Sequence, residues 1–167
     1  MAPLHHGQQP RRAAIPTPYR LVFLYLEPIS TLSGAVFAHF LQPEYLALTH
    51  AASAPAPGQS VPTATSIVLT QLANLYLLLC VNEALVLRVT DDVRVWKTFL
   101  FGLLLADLGH LYSVRLVGRW VYWDLWRWNA IDWGNVGFVY FLAAARVLML
   151  LDVGFKRDAH ASTKKRT

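Results

Sequence analysis

Residues 95–117 read VWKTFLFGLLLADLGHLYSVRLV. A helix needs about 20 mostly apolar residues to cross a bilayer, and this run is long enough. It nevertheless holds Asp107 and His110 at its heart. Ionisable groups persist in hydrocarbon only where they face a protein interior or a wet cavity. The stretch therefore predicts a membrane helix that shares a polar interior with partners.

Three further runs of similar length supply those partners. They cover Tyr19–Phe40, Thr65–Leu87 and Asp132–Val153, and they carry Glu27, Glu83 and Arg146. Backbone groups in lipid must be satisfied within their own segment, so helices are expected throughout. The predicted fold is all-α, a four-transmembrane-helix bundle. Ala51–Pro62 is rich in Ala, Pro, Ser and Gly and reads as a flexible loop. Arg115–Asn129 interleaves Trp120, Tyr122, Trp123, Trp126 and Trp128 with charges. That pattern predicts a short interfacial aromatic segment between the third and fourth helices, as a belt at the membrane surface or a lid over a site.

Composition agrees. The chain has 167 residues, fitting one domain, and is 55% hydrophobic with 6 Trp. Its mean hydropathy is +0.36, too apolar for an ordinary soluble domain. The net charge of +5 does not point to nucleic acid, because the basic residues collect at segment ends and termini. The one cysteine, Cys80, has no internal partner for a disulfide and reads as a small buried hydrophobe. The expected organisation is a tail over 1–18, a bundle over 19–154 and a basic tail over 155–167.

Lys and Arg counts orient the bundle. Arg11, Arg12, Arg20, Arg88, Arg94, Lys97, Lys156, Arg157, Lys164, Lys165 and Arg166 share the side of the termini. Only Arg115, Arg119 and Arg127 lie on the other. The excess predicts cytosolic termini. Met1–Tyr19 has no apolar core, so the first span is expected to act as an uncleaved signal anchor. Lys164 and Lys165 stand fourth and third from the end, a dilysine pattern that points to the endoplasmic reticulum.

Helix rise converts position into depth. At about 1.5 Å per residue, Glu27, Glu83, Asn82 and Arg146 fall roughly 8–10 Å below the terminus side. Asp107 falls about 18 Å down, and His110 and Asn74 about 21 Å. This predicts two levels: a ring of Glu27, Glu83, Asn82 and Arg146, and a separate Asp107–His110 pair one turn apart. Arg146 can neutralise one of the two glutamates, and the other needs a second donor or a proton. Carboxyls in unlike environments form an acid/base pair, and His110 beside Asp107 forms another. Gln71 and Asn74 could instead act as glue between helices. No nucleophile elbow or phosphate-binding loop is present, and the histidines lack metal-ligand spacing, so neither a metal nor an organic cofactor is expected.

Leu26-Glu27-Pro28, Gln71-Leu72-Ala73-Asn74, Asn82-Glu83, Ala106-Asp107-Leu108-Gly109-His110, Asp132-Trp133-Gly134-Asn135 and Arg146 form a pattern across Tyr19–Val153. It resembles a family of small four-helix membrane proteins of filamentous fungi. That family includes membrane epoxide hydrolases of polyene-pyrone polyketide pathways (aurovertin, citreoviridin and asteltoxin types). The resemblance implies epoxide opening by water or an internal hydroxyl on a lipophilic substrate, giving diols or cyclic ethers. On this reading Asp107 is the base, His110 assists, and Glu27 or Glu83 is the acid. Asn74, Asn82, Trp133 and Asn135 line the cavity with Arg146, and Asp132 is in reserve, with a helix N-terminal role as its alternative. A terpenoid cyclase or isomerase could use the same carboxyls for protonation. A non-enzymatic lipid-binding protein could use them only to hold the bundle. The expected partners are a lipophilic small molecule and the bilayer; the sequence leaves the oligomeric state open.

Overall fold

The computed structural model describes residues 14–155. These residues are helical with no strands among them, and four helices are long and apolar enough to cross a membrane. The chain is a multi-pass membrane protein by this measure. The spans are α1 (Thr17–Phe40), α3 (Thr63–Val89), α4 (Val93–Val117) and α5 (Ala130–Leu150). A short helix, α2 (Gln42–Thr49), lies between the first two. Both termini of the described chain are on one side; α2 and the aromatic segment are on the other, called here the far side. The dilysine pattern and most of the basic tails lie outside the described residues.

Local chemistry sets each start. Pro16 precedes α1 and Pro62 precedes α3, where a missing N–H removes no helix bond. The Asp92 side chain accepts from Arg94 N at 2.8 Å to cap α4. The last span ends earlier than the apolar run suggests. Asp152 takes φ +60°, and its N–H bonds Met149 O while Val153 N bonds Leu148 O. Those paired bonds form a Schellman stop.

Three spans contain a π-helical turn: Val22–Leu26 in α1, Asn82–Val86 in α3 and Trp133–Phe138 in α5. The first has a clear cause. Pro28 has no N–H to give Leu24 O, and its ring crowds that carbonyl. Glu27 N instead reaches Val22 O, and Arg88 Nη2 donates to Leu24 O at 3.4 Å.

α1 packs chiefly on α3, and α4 on α5. The apolar core lies on the terminus side. Phe23, Leu87, Trp96, Leu100 and Met149 are each 0% exposed there. Trp96 Nε1 donates to Thr90 O at 2.9 Å, so its indole is buried without an orphaned donor. Ile15 is buried in this core and Phe155 packs on it, its ring stacked on Tyr19. Ile15 thus packs into the bundle just ahead of the first helical residue, Thr17. On the far side, short 3₁₀ turns at Arg119–Tyr122 and Leu125–Arg127 carry the aromatic segment. Trp126 is 97% exposed, as an interfacial anchor would be.

Candidate functional site

Just below the apolar core, Arg146 is 1% exposed and reaches carboxyls of three other spans. Its Nη2 donates to Glu27 Oε1 and its Nη1 to Asp107 Oδ2. Glu83 Oε1 stands 3.8 Å from Nη2, beyond a hydrogen bond. Three carboxyls thus share one guanidinium. The Arg146 guanidinium also lies 5.8 Å from the Phe23 ring. Glu27 Oε2, both Glu83 oxygens and Arg146 Nε are buried without a hydrogen-bond partner among the described residues. The π-helical turns adjoin these groups, one ending just before Glu27 and another containing Glu83. Such turns are frequent at functional sites.

The expected two levels merge. Lys97 Nζ bonds Leu150 O at 3.0 Å and so fixes the register of α4 against α5. Counting from that contact at about 1.5 Å per residue, the Asp107 backbone lies about 9 Å deeper than that of Arg146. Side chains tilt toward the N-terminus of their own helix. In two antiparallel helices, Asp107 therefore leans toward the terminus side and the long Arg146 leans away from it. They meet between levels, so Asp107 joins Glu27, Glu83 and Arg146 and is not paired with His110.

His110 faces a second feature, a cavity of about 490 Å³ on the far side. Tyr45, His50, Tyr76, His110 and Asn135 contribute its polar lining. His110 Nε2 is 3.0 Å from Asn135 O. A carbonyl only accepts, so Nε2 carries the hydrogen, and Nδ1 is the acceptor nitrogen in the neutral ring. Nδ1 makes no hydrogen bond among the described residues. Asp107 is one turn away from His110 toward the charged cluster. Its Oδ1 is likewise unbonded among the described residues, and its side chain keeps 11% of its surface open.

Four expected ligand contacts sit elsewhere. Asn74 is exposed and Asn82 half-buried, on the side of α3 away from buried Leu69, Ala73, Glu83 and Leu87. Facing Glu83 inward turns Asn82 out, because neighbours in a helix differ by about 100°. Trp133 is 53% exposed and meets Trp128 edge-on at 4.9 Å. Asp132 caps α5: its Oδ2 accepts from Asn129 N at 3.1 Å, while Asn129 Oδ1 accepts from Ile131 N and Asp132 N. This reciprocal capping box occupies both side chains. Asn135 does line the cavity.

Tyr45, Thr49, His50 and Ser53 also line the cavity, beyond the residues that the sequence pattern marks. They come from α2 and the turn after it. Gln42-Pro43-Glu44 carries the start signal for that helix, with Pro and an acid in the first turn.

A family model described as a domain of unknown function, DUF7704, matches residues 12–156. No curated protein and no solved structure matches the chain.

Proposed function

The chain belongs to the DUF7704 family, and we propose that it is a membrane-embedded acid/base enzyme acting on a lipophilic small molecule. The observation that carries this reading is the adjacency of His110, lining a cavity with Nδ1 free, to Asp107, held by Arg146 one turn away. Ligand sites combine apolar walls with placed polar groups, and this cavity sets Leu72, Val114, Leu116 and Val117 among hydroxyl, imidazole and amide side chains. The finer reading is epoxide opening to a diol or cyclic ether, as the sequence resemblance implies.

In that reaction the oxygen of water, or of an internal hydroxyl, bonds to one epoxide carbon while that carbon's bond to the ring oxygen breaks. The attacking oxygen loses its proton to His110 Nδ1 or Asp107 Oδ1, and the ring oxygen gains one from a carboxylic acid. Glu27 and Glu83 share the guanidinium with Asp107 and do not line the cavity, so with His110 as the base a proton they hold would pass to the ring oxygen through Asp107. Arg146 positions Asp107. The charge count along the chain and the dilysine pattern support placement in the endoplasmic reticulum with cytosolic termini.

The test is turnover of a polyepoxide by microsomes carrying the full chain. His110→Gln and Asp107→Asn should each lower it by about 100-fold or more, the usual contribution of a positioned acid or base. Full turnover by both folded variants would sink the assignment. Conversion of a prenylated substrate, offered in parallel, would instead favour the isomerase or cyclase reading. A lipid-binding role without chemistry has its own support, since Arg146 bridges spans in a sealed position where ion pairs can simply hold helices. Ligand binding with no turnover of either substrate would favour that reading.

A further inference from the structure

We infer that the outward face of α3 docks against the same face of a second copy of this chain. α3 is the least covered span, with 11% of its apolar window buried against 28%, 17% and 22% in the others. Its outward stripe carries Gln71, Asn74 and Asn82 among Ile67, Leu78 and Leu85. A separation of eleven residues returns a helix to within about 20° and one of three to within about 60°, so the three amides share one side. None of them makes a side-chain hydrogen bond among the described residues.

Depth makes that arrangement costly for a lone chain. Taking about 1.5 Å per residue, Gln71 and Asn74 lie about 12 and 16 Å from the Thr63 end of a helix about 40 Å long. Hydrocarbon about 30 Å thick, centred on that helix, leaves Asn74 close to the midplane. Lipid tails offer an amide neither donor nor acceptor, and the short Asn74 side chain cannot reach the interface. Ser33 on α1 is exposed too, but its hydroxyl donates to Ile29 O at 2.9 Å.

The occupant follows from the chemistry of the carboxamide, which both donates and accepts. Two identical stripes related by a two-fold axis along the membrane normal place each amide against its own copy. Reciprocal N–H···O bonds then satisfy both, which is how an isologous interface works. Polar side chains of this type join membrane helices. The buried charges and the cavity lie on the opposite face of α3 and stay within each protomer.

The full chain in lipid vesicles tests this, with Cys80→Ala removing the native thiol. A single cysteine introduced by Leu78→Cys lies on the stripe and keeps all three amides. It should form a disulfide-linked dimer on mild oxidation, whereas Val36→Cys on the outward side of α1 should not. Adding Gln71→Leu and Asn74→Leu to the Leu78→Cys chain should weaken association about tenfold, read by dilution of labelled protein in lipid. Equal cross-linking from positions 78 and 36, or association unchanged by loss of the amides, would overturn the inference. Cross-linking at neither position overturns it too, since a different partner would then cover the stripe.

Discussion

Arg146 decides more than any other residue, because three carboxyls depend on one guanidinium. Arg146→Met leaves Glu27 and Asp107 buried without their donor. Removing one partner of a buried pair typically costs about 3–5 kcal/mol, so this variant should lose most of its unfolding resistance in detergent titrations. Glu83→Gln should be mild by comparison, because Glu83 stands 3.8 Å from the guanidinium and makes no hydrogen bond with it. If the two variants were equally destabilised, the ranking of partners would be wrong. At this scale the sequence was informative about which residues meet. Of the expected ring, Glu27 and Glu83 meet Arg146, while Asn82 turns away from it. Asp107 bonds Arg146 and not His110, which stays one turn away, because side-chain reach and tilt offset backbone depth. Asn74 and Asn82 were placed in the cavity because one shared face was legible but its direction was not. Period alone does not say which side of a helix looks inward.

Elements tell a similar story. The four spans were readable because length and apolar content are strong signals in lipid. The short α2 was not, since eight mixed residues carry little periodicity, although its Pro43 and Glu44 mark a start. The π-helical turn at Val22–Leu26 has a readable cause in Pro28, yet its effect on facing appears only in three dimensions. Two substitutions probe element packing. A Cβ on Gly34 would lie 3.3 Å from the Tyr76 ring. Gly34→Val should therefore push α1 from α3, cost about 1–3 kcal/mol as overpacking does, and disturb the cavity wall that Tyr76 forms. A thermal melt with ligand binding in parallel would check both effects. Asn129→Ala removes the α5 cap and the Nδ2 bond to Leu48 O at 2.8 Å. A loss of about 1–2 kcal/mol is expected, and an unchanged melting temperature would argue against the capping role.

At the scale of the molecule, charge asymmetry gives the testable orientation. An N-glycosylation site placed in the loop over 54–60 should be modified in cells, and one added at the C-terminus should not. The reverse result would invert the bundle. Ion pairs at the terminus side, Arg20 with Asp91 at 2.6 Å and Lys97 with Asp152 at 2.7 Å, are partly exposed. Each should matter little, since such pairs contribute about 0–1 kcal/mol.

The apolar plug of Phe23, Leu87, Trp96, Leu100 and Met149 covers the charged cluster on the terminus side. The cavity lies beyond the cluster, away from that plug. Among the described residues the cavity lies at the end of the bundle away from the plug, so the two ends are not equivalent. The two ends therefore meet their surroundings differently: one presents packed apolar rings and the other a wall of hydroxyl, imidazole and amide groups.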